Sequence, residues 1–248
     1  MKHLASGTLV ICDGSLPSLT ALWSEAQCEA RARAAVGGGG GQGNASAGSD
    51  GAGRVVAWGL GNSDSGEAWH DLVRRQAQAC GVTTVEFAPV GGGFTAKAGG
   101  GDGEPNGGGL EITRMLLSAG ESALEHGLTR IVWPVALGMG EGAIGPTEAE
   151  LVINAISGAA DRALLCSRLL AIETEERARH AGRMELDAGG RFMIQTPYLD
   201  LGESQLVELA LDMDVPLGLV EAQACAANAR WLRVIERLGA ATLIRPAA

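Results

Sequence analysis

The sequence TLVICDGSLPSLTALW, residues 8–23, decides the predicted fold. Residues 9–12 form a short apolar run of the length of a buried strand, and residues 13–15 have the composition of a turn. A helical apolar pattern follows from Pro17, which suits the first turn of a helix. Unpaired N–H groups and the helix dipole meet at such a turn, and this geometry suits an anion. The plain alternative is an ordinary strand-to-helix turn in an α/β domain.

The composition limits the classes of partner. The chain has 248 residues, of which 46% are hydrophobic and 19% are charged, as is typical of globular proteins. A net charge of −10 argues against nucleic acid or an anionic membrane as a general partner, although a small anionic ligand remains possible. No apolar run approaches the ~20 residues of a membrane span. Asp13 and Pro17 interrupt the first apolar segment, so no secretory signal is expected and cytoplasmic localisation is predicted.

The cysteines and histidines predict neither a disulfide framework nor a metal site. The five cysteines form no CxxC pair, and they lie at Cys12, Cys28, Cys80, Cys166 and Cys225. The four histidines are interpreted as solvated side chains on a terminus or on helix surfaces, and they lie at His3, His70, His126 and His180.

Strands and helices alternate along the chain. Further strands are predicted at 54–58, 83–87, 131–133 and 192–195, with helices between them. Two glycine-rich segments, 37–53 and 91–109, are predicted to be flexible loops. Residues 173–190 are charged and predicted to be exposed, and a C-terminal helical part begins at 203, with helices at 203–213 and 222–238. The pattern predicts a single α/β domain over 1–248, with a doubly wound parallel sheet of about five strands and helices on both faces.

In such a sheet, ligands bind beyond the carboxyl ends of the strands. The loops expected at that edge are 13–18, 59–66, 91–109 and 135–145. Gly59, Gly61 and Gly66 follow a strand, but the third glycine is misplaced for GxGxxG, which makes a nicotinamide site a remote alternative. The sequence contains no GxxxxGK[ST] motif.

Four segments together resemble a known family. They are DGSLPSLTALW (13–23), VVAWGL (55–60), EHGLTRIVWPVALG (125–138) and IQTPYLDLGESQLVELALDMDVPLGL (194–219). In this order they resemble 7-cyano-7-deazaguanine synthases of the PP-loop ATP pyrophosphatase superfamily. The resemblance implies a nucleotide-binding fold in which ATP activates the carboxylate of 7-carboxy-7-deazaguanine and ammonia then displaces AMP. It also implies zinc held by C-terminal cysteines.

The positions that carry the family's chemistry differ in this chain. The family's SGGxDS loop aligns with Asp13–Ser18, where only Gly14 and Ser18 agree. Asp13 places a carboxylate where a phosphate should rest, and Pro17 removes an acidic side chain and a backbone donor. The family's Arg-Asn pair falls on 112–113, with Arg114 nearby.

Two further motifs of the family are reduced. Its substrate loop corresponds to 135–145, where Glu141 is the one acid. Of its run of cysteines, only Cys225 is present in this chain. A structural zinc ion is therefore not expected, because one cysteine cannot hold it. Arg114 and Glu141 are the candidate substrate-binding residues, and no catalytic residue or metal ligand set is predicted.

The resulting hypothesis is a PP-loop-type protein with degenerate catalytic equipment that acts by binding a small ligand or a partner. ATP is a doubtful cofactor. If a nucleotide binds, the candidate residues lie in the turn after the first strand and in the loop after the second strand, which would form the neighbouring wall of the ligand crevice. They are Asp13, Gly14, Ser15, Ser18, Gly59, Gly61 and Asp64. The alternatives are an active ATP-dependent synthase with altered loops, and a structural subunit that pairs with an active paralogue or with itself. No nucleic-acid partner is expected.

Overall fold

A five-stranded, entirely parallel sheet forms the centre of the protein. The computed structural model describes residues 7–37, 54–60, 66–88, 108–137, 146–180 and 192–240. The strands are β1 (Thr8–Cys12), β2 (Val55–Gly59), β3 (Thr84–Phe87), β4 (Arg130–Val132) and β5 (Met193–Gln195), and their order in the sheet is β3-β2-β1-β4-β5. The predicted α/β fold with a doubly wound parallel sheet is therefore confirmed.

Helices cover both faces of this sheet. They are α1 (Leu16–Gly37), α2 (Gly66–Ala79), α3 (Gly108–Glu125), α4 (Pro146–His180), α5 (Glu203–Asp212) and α6 (Asn228–Arg237), with a short 3₁₀ turn at Leu217–Leu219. Helices α1, α2, α5 and α6 share one core with one face of the sheet, and α3 and α4 share a second core with the opposite face. Among the residues described, no helix is both long and apolar enough to cross a membrane.

The apolar run of β1 supplies both cores. Val10 and Cys12 point into the first core, and Leu9 and Ile11 point into the second. All four side chains are buried, because a central parallel strand is covered on both faces. This arrangement explains why the run is continuously apolar rather than alternating.

Helix α4 extends into the segment 173–190 that was predicted to be charged and exposed. It continues to His180, so the segment 173–180 is helical, although most of its side chains are exposed as expected. An ion pair between Arg177 Nε and Glu173 Oε1, 2.7 Å long and one helical turn apart, supports this end. Basic side chains in the last turn also complement the helix dipole.

Two other boundaries differ from the prediction. The last helix begins at Asn228, because residues 222–227 form turns. Gly37 closes α1, and Gly108 and Gly109 open α3, so these three glycines are helical. The rest of the glycine-rich segments 38–53 and 91–107 lies outside the described residues, and their predicted flexibility stays a prediction.

His126 is not the solvated side chain that was predicted. It is half-buried, with Nε2 2.5 Å from Glu86 Oε1, and Ser122 Oγ donates to the other oxygen of the same carboxylate at 2.9 Å. The end of α3 packs beside the edge strand β3, and this packing brings the three side chains together. His3 lies outside the described residues.

Candidate functional site

The turn between β1 and α1 lies at the carboxyl end of the central strand. The chain order along the sheet reverses here, since β2 lies on one side of β1 and β4 lies on the other. This is the position where doubly wound sheets bind ligands. Gly14 has a φ of 79°, a conformation that disfavours any other residue, so the turn itself requires glycine.

The Asp13 side chain folds back onto the turn. Its Oδ1 accepts a hydrogen bond from the backbone N of Ser15 at 2.9 Å and from Ser15 Oγ at 2.5 Å. This arrangement is an Asx turn, in which a carboxylate satisfies backbone donors that would otherwise be free. An anion arriving at this point would compete with a carboxylate that is already bonded.

Several other polar groups of the turn are also bonded within the chain, and one backbone donor is missing. The backbone N of Leu16 donates to Asn228 Oδ1 at 3.2 Å, and Pro17 has no N–H. Ser18 is buried, and its hydroxyl donates to the carbonyl oxygen of Ser15 at 2.9 Å. The Ser15 hydroxyl is committed to Asp13. The chain therefore supplies its own partners for several of the donors that a nucleotide phosphate would need.

Three side chains from distant positions cover the turn. Trp69 Nε1 donates to the carbonyl oxygen of Asp13 at 2.8 Å, and Gln76 Nε2 donates to that of Gly14 at 3.0 Å. Asn228 Nδ2 donates to the same Gly14 oxygen at 3.0 Å. The turn is thus held between α2 and the start of α6.

Sequence reasoning missed these covering residues. Asn228 and Gly14 are 214 positions apart, so no local pattern links them. Gln76 did carry a signal, because it lies on the apolar face of α2 between Val73 and Ala77 and is buried. A buried polar side chain on an apolar helix face needs a hydrogen-bond partner, and such a position points to a polar contact in the fold.

The wall next to the turn is closed by aromatic rings. A Cβ atom on Gly59 would lie 2.5 Å from the Phe87 ring and 3.2 Å from that of Trp69, so ring packing requires glycine there. His70 contacts both rings edge-on, with ring centroids 5.1 Å from Trp69 and 4.6 Å from Phe87. Gly61 and Asp64, predicted for the same wall, lie outside the described residues.

Arg114, one of the two predicted substrate residues, is not brought to this turn. Arg114 is exposed on α3, in the layer opposite α1, and it makes no hydrogen bond with the turn in the part of the chain that is described. Glu141 lies outside the described residues. Of the candidates, the structure brings together Asp13, Gly14, Ser15 and Ser18, with Gly59 on the neighbouring strand.

Cys225 lies directly beneath the turn as a protonated thiol. Its Sγ donates to the carbonyl oxygen of Asp13 at 3.6 Å. Burial, assisted by the nearby Asp13 carboxylate, raises the pKa of Cys225 to about 11. Zinc binds thiolates rather than thiols, so this environment disfavours a metal ligand. Within the described ranges, no three His, Cys, Asp or Glu side chains are grouped to hold a metal ion.

Comparison with known proteins adds one structural likeness. No protein-family model matches the chain, and no curated protein matches it. Among solved structures, it is similar to the U34-tRNA thiolase NcsA from Methanococcus maripaludis with its 4Fe-4S cluster. The identity is 10%, the TM-score is 0.43, and the match covers 94% of this chain and 72% of that one. Likeness at this level carries no argument about function, which has to come from the geometry of the site.

Proposed function

We propose that this chain is a catalytically degenerate PP-loop-type protein, similar to 7-cyano-7-deazaguanine synthases, that acts by binding rather than by catalysis. The supporting observation is the Asp13 carboxylate, which is bonded to both the N–H and the hydroxyl of Ser15. A PP-loop needs these donors for the pyrophosphate of ATP. Here the protein's own carboxylate takes the place of that anion.

The charge of Asp13 opposes a phosphate more strongly than the helix favours one. Two like charges about 4 Å apart repel by about 4 kcal/mol at an effective dielectric constant of about 20. A helix N-terminus stabilises an anion by only about 0.3–1 kcal/mol. With the N–H of Leu16 bonded to Asn228 and none on Pro17, few donors remain to make up the difference.

Isothermal titration calorimetry with ATP·Mg tests this proposal on three proteins. The wild type should show no binding, whereas the double variant Asp13→Ser, Pro17→Asp should regain measurable affinity. Asp13→Asn is the matched control, because an amide keeps an acceptor for Ser15 but removes the charge. Partial recovery of ATP·Mg affinity in this control would show that the negative charge of Asp13 is the main cause of the weak binding.

The active-synthase alternative makes the opposite prediction. The wild-type chain would then bind ATP·Mg and form AMP steadily in the presence of 7-carboxy-7-deazaguanine and ammonia. That result would overturn the proposal, whereas the absence of AMP formation at saturating substrate would support it.

A partner-binding role is favoured by the outer face of α4. Leu165, Leu169 and Ile172 lie at helical spacing on one stripe, and their exposed fractions are 51%, 44% and 54%. A second copy of this chain is the occupant that we propose. Asp161 and Arg168 lie on the same face, on either side of Leu165, and neither forms an ion pair within the described ranges. An antiparallel pairing of two α4 helices near Leu165 would bring each Arg168 opposite the other copy's Asp161.

Analytical ultracentrifugation tests this pairing. The wild type should sediment as a dimer at micromolar concentration, and Leu165→Glu should be monomeric. Exchanging the charges of Asp161 and Arg168 together should preserve the dimer, whereas Arg168→Glu alone should weaken it. A wild type that stays monomeric at all accessible concentrations would contradict the proposed self-association.

A further inference from the structure

A small pocket lies on the first face of the sheet, beneath α1 and α5 and against β4 and β5. Its volume is about 210 Å³. Pockets that bury drug-sized ligands have volumes of roughly 300–1,000 Å³, so this one suits a molecule the size of a single ring. The β1–α1 turn contributes none of its lining residues. The pocket is therefore distinct from the nucleotide-type site.

Tyr198 is a buried residue of this pocket whose hydroxyl lacks a partner among the described residues. Its side chain lines the pocket and is only 5% exposed. Its hydroxyl makes no hydrogen bond with a described residue, and it is not among the fully buried unpaired atoms, so it is accessible from the pocket. Burial, with a smaller effect of the Glu25 carboxylate, raises the pKa of Tyr198, so the hydroxyl is neutral and able to donate.

The charges in the pocket already cancel. Arg130 binds Glu25 through two hydrogen bonds, Nη1 to Oε2 at 2.7 Å and Nη2 to Oε1 at 2.8 Å. Arg130 Nε also donates to Gln195 Oε1 at 2.8 Å, and Nη1 donates to Thr8 Oγ1 at 3.1 Å. A charged ligand would lose its hydration here without gaining an unpaired counter-charge, which disfavours ions.

The remaining lining favours a neutral ring with one polar edge. Ala21, Val132 and Leu209 provide apolar walls for the faces of a ring. The hydroxyl of Ser24, like that of Tyr198, is not engaged in any hydrogen bond with the described residues, and a hydroxyl can both donate and accept. Two such groups suit a ligand that presents both a donor and an acceptor.

We propose that this pocket is a binding site for a small, uncharged cyclic amide, whose N–H and C=O pair with the hydroxyls of Tyr198 and Ser24. The site is independent of the nucleotide-type turn. It would bind its ligand whether or not the chain binds ATP.

The chain offers a specific reporter for this site, because Tyr198 is its only tyrosine. With ¹³C-labelled tyrosine, NMR shows the ring of this residue alone. Adding δ-valerolactam, a six-membered cyclic amide, should shift these signals saturably with a Kd of about 1 mM, as expected for so few non-hydrogen atoms. Piperidinium, the cationic ring of the same size, and cyclohexanecarboxylate should cause no saturable shift.

Variants test which groups hold the probe. Saturation transfer from protein to δ-valerolactam should show that Tyr198→Phe weakens binding at least fivefold, and that Ser24→Ala weakens it as well. Ser118→Ala, the same change on α3 on the opposite face of the sheet, should leave binding unchanged. Undiminished affinity in Tyr198→Phe, equal binding of piperidinium, or no saturable shift with the amide would each overturn the proposal.

Discussion

At the scale of single residues, the side-chain amide of Asn228 satisfies backbone groups of the β1–α1 turn. It is fully buried and makes three hydrogen bonds. Its Oδ1 accepts from the N of Leu16, and its Nδ2 donates to the carbonyl oxygens of Gly14 at 3.0 Å and Glu221 at 3.3 Å. One side chain thus provides the first turn of α1 with the partner that helix N-termini usually find in a local cap or a ligand.

Asn228→Ala should lower the free energy of unfolding by about 3 kcal/mol, because buried donors and acceptors lose their partner and cannot reach water. Urea denaturation monitored by circular dichroism measures this change. Asn154→Ala, at an exposed position of α4, is the matched control and should change stability by less than about 0.5 kcal/mol. A loss in Asn228→Ala no larger than in the control would mean that water or a shifted backbone satisfies the turn.

At the scale of elements, an ion pair joins α2 to the segment before α6. Arg75 binds Glu221 through two contacts, Nη1 to Oε1 at 2.5 Å and Nη2 to Oε2 at 2.9 Å. These hydrogen bonds hold the pKa of the Glu221 carboxyl below its ordinary value. Both α2 and the segment around Asn228 cover the β1–α1 turn, so this pair helps to keep the cover in place.

The stabilisation by Glu221 should depend on pH in a defined direction. Because its pKa is lower in the folded state, the ionised group stabilises the protein above the ordinary carboxyl range, around pH 4.3. That contribution is lost as the pH falls through the folded pKa. Glu221→Gln should therefore be less stable than the wild type at pH 7, and the difference should shrink as the pH falls below the ordinary carboxyl range.

Urea denaturation at a series of pH values measures this difference. Asp71→Asn is the control, since Asp71 pairs with Arg74 on the exposed side of α2, where both side chains are more than half exposed, and the change leaves the contact of Arg74 with the Phe87 ring in place. This control should change stability little at any pH. A pH-independent difference between Glu221→Gln and the wild type would show that packing, rather than charge, causes the effect.

At the scale of the whole molecule, the C-terminal helices complete the core that the N-terminal strand begins. Leu206, Trp231 and Ile235 are buried in the same core as Val10 and Leu19. Without α5 and α6, this face of the sheet would expose a large apolar surface to water. The predicted single domain over 1–248 is therefore expected to unfold as one unit.

A chain that ends at residue 202 tests this expectation. It should bind the dye ANS and show no cooperative thermal transition, because the first core loses the buried side chains of α5 and α6. The control is a chain that ends at residue 240, which keeps every described element and should melt in one transition. A cooperatively folded fragment 1–202 would show that the C-terminal helices form a separate unit.

The sequence by itself determined the sheet and its layers. The apolar run 9–12, the strand-to-helix alternation and the glycine at position 14 follow from local rules of burial, periodicity and backbone conformation, and these predicted the parallel α/β fold. The carboxylate at Asp13 and the missing backbone N–H at Pro17, both within the first strand-to-helix turn, were likewise evident from the sequence.

The tertiary structure alone decided how the candidate site is closed. Trp69, Gln76 and Asn228 reach the β1–α1 turn across 56, 62 and 214 positions of sequence. Such contacts depend on how helices pack on the sheet, which no local pattern contains. The pocket at Tyr198 has the same origin, because it is the space left between α1, α5 and two strands that meet only when the chain has folded.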